Sequence, residues 1–161
     1  MKNNFFYKKE FSNIYKKSSR FSEVTSQILY GEKFKILSKK KDWIKIKTSF
    51  DNYVGYIKNE KYIKIYKPTH KVYSLKSTIF SRPNYKTKKF LPFASKLSII
   101  DKNKNFVKFD KNKWLKKKDV KKIDHKERKI LKILRLFLKT KYVWGGKTYK
   151  GIDCSALLQL F

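Results

Sequence analysis

The last twenty residues of the chain, Tyr142 to Phe161, read YVWGGKTYKGIDCSALLQLF and contain its single cysteine, Cys154. Glycines before the cysteine allow a tight turn, and Asp153 and Ser155 flank the cysteine. Because Asp is a common helix cap, we predict that the cysteine lies in the first turn of a helix. Unpaired N–H groups and the helix dipole there favour a thiolate, which would lower the thiol pKa and create a nucleophile. The alternative is a buried structural cysteine at a helix start.

A thiol nucleophile needs a base within hydrogen-bond reach and a group that orients this base. The chain has two histidines, His70 and His125. His125 precedes the cysteine and could serve as the base, but nothing in the sequence specifies the geometry, so we predict a solvated histidine at a helix start. One cysteine excludes an internal disulfide. Together with two distant histidines it argues against a zinc site, so neither a metal nor a cofactor is expected.

A helix is predicted before the glycines, because apolar residues keep helical spacing from Ile130 to Leu138. Asp124 is the predicted N-cap, and Glu127 three residues later would complete a capping box. The opposite face is rich in lysine, which is typical of an amphipathic helix covering a core. The alternative is a basic helix on a membrane surface. The helix predicted at Cys154 has an apolar side formed by Leu157, Leu158 and Phe161.

The upstream part contains an internal repeat with an offset of 63 residues. Glu32–Ile46 reads EKFKILSKKKDWIKI, and Ser95–Phe109 reads SKLSIIDKNKNFVKF. In each copy two strand-like runs flank a polar turn. A further strand-like run follows at Tyr53–Ile57 in the first copy and at Lys113–Leu115 in the second. The pattern predicts two copies of a small β-domain, joined by a linker at Lys67–His70.

The net charge of +31 comes from 39 lysines and only four arginines. Nucleic-acid recognition favours the forked guanidinium of Arg. We therefore attribute the charge to composition and solvated faces and expect no specific nucleic-acid partner; attraction to a polyanion or a membrane surface is the alternative. The N-terminus, MKNNFFYKKEF, lacks the apolar core of a signal peptide, and no run of 18 apolar residues predicts a membrane span. The expected location is the cytoplasm.

The glycine-rich segment resembles a known family. Tyr142-x-Trp144-Gly-Gly146 followed by Gly151-x-Asp-Cys-Ser155 looks like the start of the NlpC/p60 family of papain-like cysteine peptidases, which cleave bacterial cell-wall peptides. Ser22–Glu32 resembles the first bacterial SH3-like domain of the γ-D-glutamyl-L-diamino-acid endopeptidase branch. The resemblance implies a mainly β protein, with tandem SH3-like β-barrels at residues 1–66 and 70–122. Residues 124–161 would be the helical N-terminal fragment of a papain-like α+β peptidase domain.

The resemblance also implies roles for individual residues by matching position. Cys154 corresponds to the nucleophile, and Tyr142 to the tyrosine whose hydroxyl lies in the active site. Asp153 and Ser155 correspond to residues that hold the free amine of the substrate, and a carboxylate there can pair with an ammonium group. Glu23 would be the acidic contribution of the first SH3-like domain.

Three departures from the family pattern stand out. Ala156 replaces a usual glycine, and Lys141 replaces the usual proline before the tyrosine, which loosens a turn and adds charge. The family supplies its base and orienting group from strands well downstream of the cysteine, and these do not follow within the 161 residues.

The resemblance therefore implies a γ-D-glutamyl-L-diamino-acid endopeptidase. It would hydrolyse a murein tripeptide or tetrapeptide with a free N-terminal L-Ala during wall-peptide recycling, through thiolate attack and an acyl-enzyme. Without the downstream base, we expect the chain as given to be a truncated and inactive form of such an enzyme. Two other classes stay open: an SH3-like binding module for wall peptide or an anionic polymer, and a basic RNA-associated protein, which rests on charge alone.

Overall fold

The computed structural model describes residues 4–160, which form mainly antiparallel β-sheet, as the sequence predicts. The strands are β1 (Asn4–Tyr7), β2 (Phe11–Tyr15), β3 (Val24–Leu29), β4 (Lys33–Lys40), β5 (Trp43–Thr48), β6 (Val54–Lys58), β7 (Tyr62–Ile63), β8 (His70–Val72), β9 (Lys76–Arg82), β10 (Tyr85–Pro92), β11 (Lys96–Leu97), β12 (Asp101–Lys102), β13 (Phe106–Asp110), β14 (Lys113–Lys116), β15 (Val120–Lys122), β16 (Lys147–Thr148) and β17 (Gly151–Ile152). The helices are a 3₁₀ turn (Lys117–Asp119), α1 (Ile130–Phe137) and α2 (Cys154–Gln159).

Strands β1 to β7 form one sheet in the order β3-β2-β6-β5-β4-β1-β7, which we call the first barrel. Its strands alternate: along β5, Ile44 and Ile46 are fully buried while Lys45 and Lys47 point outward. The inward side chains form one core, made of Tyr7, Ile14, Ile28, Phe34, Ile44, Ile46 and Ile57.

Strands β8 to β15 form two small sheets, in the orders β10-β9-β14-β13-β12 and β11-β8-β15, which together we call the second barrel. Its core contains buried side chains from both sheets and one from the first barrel, Tyr30. The residues of this core are Tyr30, Val72, Ile79, Leu91, Leu97, Val107, Phe109, Leu115 and Val120.

The 63-residue repeat forms the same hairpin in both barrels. Ser38 pairs with Lys45 in the first barrel, and Asp101 pairs with Lys108 in the second, so the strand register keeps the sequence offset. The buried positions coincide as well: Phe34 and Leu97, Trp43 and Phe106, Ile44 and Val107, Ile46 and Phe109. The copies differ in that the first strand is continuous in β4 but divided into β11 and β12 in the second barrel.

The two barrels meet with their backbones in contact at Gly31. This glycine has φ +70°, and a Cβ there would lie 2.0 Å from the carbonyl oxygen of Lys96. The Lys96 amide donates to the Tyr30 carbonyl at 2.8 Å. The Tyr66 hydroxyl donates to the Lys96 carbonyl at 3.1 Å and accepts from the Ser98 amide at 2.9 Å. Close backbone approach and these hydrogen bonds fix one barrel on the other.

Residues 124–160, which we call the C-terminal segment, pack on both barrels: the hairpin at Lys147 contacts the first, and the two helices pack on the second. Buried side chains of α1, β17 and α2 surround Phe93 of the second barrel; these are Ile133, Phe137, Ile152 and Ala156. On α2 Leu157 packs against this cluster, Leu158 is exposed, and Phe161 lies outside the described residues. No helix within residues 4–160 has the length and apolar character to cross a membrane.

The predicted start of the first helix is wrong. Helix α1 begins at Ile130, and its N-cap position, Lys129, makes no capping bond with its side chain. Glu127 does not close a capping box; its carboxylate accepts from the Tyr73 hydroxyl at 2.6 Å and from the Lys129 amide at 3.1 Å. The Glu127 carboxylate, which the sequence pattern predicts at the start of the helix, therefore binds the Tyr73 hydroxyl of the second barrel.

Candidate active site

A short hairpin, β16 and β17, leads into the helix that carries Cys154. The hairpin requires glycine at two positions where it approaches neighbouring parts of the chain closely. Gly145 has φ +68°, and a Cβ there would lie 2.6 Å from the Val24 carbonyl oxygen of the first barrel. A Cβ on Gly151 would lie 2.2 Å from a Val143 methyl group. The glycines of the motif therefore let the hairpin lie flat on the first barrel and on its own preceding loop.

Asp153 is the N-cap of α2, as the sequence predicts. Its Oδ1 accepts from the Ala156 amide at 2.7 Å and from the Ser155 hydroxyl at 2.8 Å. Its Oδ2 accepts from the Gly145 amide at 3.0 Å. This carboxylate joins the glycine loop to the helix start, and Cys154 is an exposed free thiol at the first helical position.

The first barrel contributes Glu23 to the same region. Glu23 Oε1 accepts from Trp144 Nε1 at 3.2 Å, and Oε2 pairs with Lys16 Nζ at 3.0 Å. The hydrogen bond from Lys16, the charge of Lys16 and the hydrogen bond from Trp144 together lower the pKa of Glu23 below its ordinary value. The acidic residue that the resemblance implies thus contacts the tryptophan of the glycine motif.

Tyr53 is a second side chain of the first barrel at this site, and the sequence gives no signal for it. Its hydroxyl lies 3.4 Å from the Ser155 hydroxyl, across 102 residues of chain. Tyr53 follows Asn52, which has φ +59°, in the turn before β6. From sequence it is a strand residue; only the packing of the C-terminal segment on the first barrel brings it to the cysteine helix.

Tyr142 lies on the strand-like segment beside the hairpin, where it forms a parallel bridge with Ile152. Its side chain is 63% exposed, like that of Trp144. The structure therefore places Tyr142, Asp153, Cys154 and Ser155 on one connected unit.

Neither histidine is held at the cysteine by its contacts. The His125 ring packs edge-on against Tyr73 at a centroid distance of 5.3 Å, and Nε2 is buried with no hydrogen-bond partner within residues 4–160. The prediction of a solvated histidine at a helix start is therefore wrong. His70 Nδ1 lies 2.9 Å from the Thr69 hydroxyl on the second barrel. Across the described part of the chain, no three His, Cys, Asp or Glu side chains cluster as metal ligands.

A buried ion cluster of Lys147, Glu32 and Asp51 joins the hairpin to the first barrel. Lys147 Nζ lies 3.0 Å from Glu32 Oε1 and 3.0 Å from Asp51 Oδ2, and the three side chains are 1%, 6% and 2% exposed. Burial opposes the charged form of Lys147, but the two carboxylates outweigh it and raise its pKa. Burial likewise opposes the Asp51 carboxylate, yet the Lys147 charge and hydrogen bonds from Thr48 and Lys147 lower its pKa. The sequence does not indicate this cluster, because nothing distinguishes Lys147 from the other lysines among the 39 of the chain.

Comparison with known proteins finds similarity to a domain family within the first barrel and to the fold of nearly the whole chain. The family model for the bacterial dipeptidyl-peptidase SH3 domain matches residues 14–61, within the first barrel. An NlpC/P60 family protein from Bacillus cereus has a TM-score of 0.77 at 14% identity, covering 98% of this chain and 71% of that protein. NlpC1 and NlpC2 from Trichomonas vaginalis give TM-scores of 0.36 and 0.34, each at 16% identity. They match over 99% and 98% of this chain, which spans 62% and 63% of their lengths. No match to a curated protein sequence is significant.

Residues 14–61 of the first barrel are therefore similar to the bacterial SH3 domain of dipeptidyl-peptidases. Over nearly its whole length the chain shares the fold of an NlpC/P60 family protein. These findings confirm the resemblance to NlpC/P60 proteins with bacterial SH3 domains that the motifs at Glu23 and Cys154 indicate.

Proposed function

We propose that the protein is a cysteine peptidase of the γ-D-glutamyl-L-diamino-acid endopeptidase type. Its substrate would be a murein tripeptide or tetrapeptide with a free N-terminal L-Ala. The observation that carries the proposal is that the first barrel forms a wall beside Cys154. Glu23 contacts Trp144, and Tyr53 contacts Ser155, which is the neighbour of the thiol.

The carboxylates of this wall suit an ammonium group. Glu23 and Asp153 come from different parts of the chain and both lie next to the Trp144–Gly145 loop, through their contacts with Trp144 Nε1 and the Gly145 amide. Lys16 already pairs with Glu23, and a substrate amine can replace that ammonium with one of the same charge. An N-blocked peptide has no ammonium group that could take the place of Lys16 at Glu23, so the site selects free amino termini.

The chemistry assigned to Cys154 is nucleophilic. The thiolate attacks the carbonyl carbon of the γ-D-glutamyl amide bond, the diamino acid leaves with a proton, and water then hydrolyses the thioester. Taking up and returning that proton is the work of a general base, and its absence alone typically removes about 10²–10⁴-fold of rate. The contacts of both histidines are made on the second barrel, with Tyr73 and Thr69, and neither is with Cys154. We therefore propose that a polypeptide of residues 1–161 does not hydrolyse the peptide.

The test separates binding from hydrolysis. Purified protein is alkylated with iodoacetamide with and without L-Ala-γ-D-Glu-diaminopimelate, while mass spectrometry follows release of L-Ala-D-Glu. The proposal expects the peptide to slow alkylation of Cys154, and its N-acetyl derivative to have no such effect. Equal protection by both peptides, or none by either, would refute the amine site. Release of L-Ala-D-Glu that disappears in Cys154→Ala would show that a base is present after all.

A second function is favoured by one observation: Glu23, Tyr53 and Asp153 come together at the hairpin, while the contacts of both histidines within residues 4–160 are made on the second barrel. A binding module for wall peptide needs only Glu23, Tyr53 and Asp153, and it would show protection of the thiol without release. Binding of an anionic polymer is distinguished by a steep loss of affinity with salt. The cytoplasmic location and the absence of a specific nucleic-acid partner stay predictions.

A further inference from the structure

We propose that Lys147 is a positioning residue. Its ion pairs with Glu32 and Asp51 hold the hairpin β16–β17 on the first barrel, and this sets the spacing between Glu23 and Asp153. The consequence for substrate binding rests on the proposed function, because that function assigns both carboxylates to the substrate amine. The docking of the hairpin does not depend on it.

Hydrogen bonds within the first barrel orient both carboxylates independently of Lys147. Glu32 Oε2 accepts from the Leu29 amide at 2.9 Å, which turns Oε1 towards Lys147. Asp51 Oδ1 accepts from the Thr48 hydroxyl, which leaves Oδ2 for the same ammonium. The barrel therefore holds two carboxylate oxygens in position for one cation, and that cation is the Lys147 ammonium of the hairpin.

The backbone of Lys147 is also fixed by the barrel. Its amide donates to Gln27 Oε1 at 2.8 Å, and Gln27 Nε2 donates to Asn13 Oδ1 at 2.9 Å. Within the hairpin Lys147 pairs with Ile152, the residue before Asp153. A shift at Lys147 is therefore transmitted over one residue to the carboxylate that caps the cysteine helix.

A buried ion cluster of this kind favours specificity over stability. Removing three charges from water costs much of what their attraction returns, so the cluster contributes little net stability and instead selects one geometry. A purely apolar contact would tolerate sliding of the hairpin over the barrel. Two carboxylates that converge on one ammonium define a single position for it.

The experiment compares Lys147→Met, which keeps length and loses charge, with the triple variant Lys147→Met, Glu32→Gln, Asp51→Asn. The triple variant leaves no unpaired buried charge, so it keeps the fold testable if the single variant unfolds. Lys150→Met, an exposed lysine on the same hairpin, is the matched control. Two quantities are measured: hydrogen exchange of the amide at position 147, and the peptide concentration that halves the alkylation rate of Cys154.

We expect exchange at position 147 to accelerate at least about tenfold in the triple variant because local opening becomes easier. The half-protecting concentration should rise by a similar factor, while the alkylation rate without peptide and the exchange of β5 stay unchanged. Unchanged exchange and unchanged half-protection would overturn the inference. Accelerated exchange in the variant, with no peptide protection in the unsubstituted protein, would keep the docking role and overturn the proposed function.

Discussion

Asp153 serves the backbone and the proposed substrate with one carboxylate. Three donors already occupy it: the Ala156 amide, the Ser155 hydroxyl and the Gly145 amide. A carboxylate offers about four acceptor positions, so one remains for a substrate ammonium. Its capping role depends on geometry and its proposed binding role on charge, and substitution can separate the two.

Replacing Asp153 tests that separation. Asp153→Asn keeps the oxygen that caps the Ala156 amide but presents an NH₂ group to the Gly145 amide, so the free energy of unfolding in urea should fall, though by less than in a variant that also loses the cap. Asp153→Ala removes the cap and should lower that free energy by about 0.5–2 kcal/mol. Both variants should weaken peptide protection of Cys154, because both lack the charge that pairs with an ammonium. Undiminished protection in the Asn variant would contradict the binding role.

The residues of this site fall into two groups by how the sequence reveals them. Asp153, Cys154 and the glycines belong to one local pattern, so their arrangement is set by neighbours in the chain and could be predicted. Tyr53 and Lys147 meet partners 102 and 115 residues away. Such contacts arise only when two folded parts dock, and no local spacing encodes them.

At the scale of the elements, the hairpin depends on Gly145. Gly145→Ala would place a Cβ 2.6 Å from the Val24 carbonyl oxygen at a positive φ of 68°. We expect a loss of at least about 1 kcal/mol in the free energy of unfolding from the backbone conformation alone. The hairpin should also move away from β3, which faster hydrogen exchange at position 147 would report.

Lys141→Ala is the matched control, since Lys141 is exposed and precedes the same loop. A Gly145→Ala protein with unchanged stability and unchanged exchange would show that the hairpin is not held by this close approach.

The elements also show where sequence patterns stop being informative. The repeat predicts a matched hairpin, because alternating apolar residues specify which side of a strand is buried. The start of α1 could not be predicted in the same way. Glu127 has two possible donors, and the Tyr73 hydroxyl on the second barrel is a tertiary partner that a local capping pattern does not contain.

The whole molecule should unfold as one unit because Tyr30 crosses between the barrels. Its ring is 2% exposed and belongs to the core of the second barrel. Tyr30→Ala should lower the free energy of unfolding by about 3–5 kcal/mol, as for other large buried aromatic residues. It should also separate the unfolding transitions of the two barrels.

Three tryptophans allow this to be measured: Trp43 lies in the first barrel, Trp114 in the second and Trp144 in the C-terminal segment. Fluorine NMR of protein labelled with 5-fluorotryptophan should give coincident urea transitions without substitution and separate ones in Tyr30→Ala. The control is Tyr85→Ala, at a tyrosine that is 55% exposed. Separate transitions in the unsubstituted protein would contradict a single cooperative unit.

Acid should loosen the docked hairpin. The pKa of Asp51 in the folded protein lies below its ordinary value of 3.8, so its contribution is complete above that value and is lost as pH falls through the folded pKa. The pKa of Lys147 is raised above 10.5, so its contribution is complete below that value and is lost only as pH rises through the folded pKa. We therefore expect docking to be constant near neutral pH and to weaken below about pH 4.

Hydrogen exchange at position 147, corrected for the intrinsic pH dependence of exchange, measures this effect. Asp51→Asn should remove most of the acid response, since its side chain does not titrate. An unchanged acid response in that variant would assign the loosening to other carboxylates.

The shared wall between the first barrel and the cysteine helix has a consequence for inheritance. Glu23, Glu32, Asp51 and Tyr53 lie in the barrel but serve residues encoded about a hundred codons later. Recombination that exchanged this barrel for one with other residues at these four positions would break the ion cluster and the proposed amine site together. Selection must therefore act on the two gene segments as a pair, and a working chimera has to carry all four barrel residues with it.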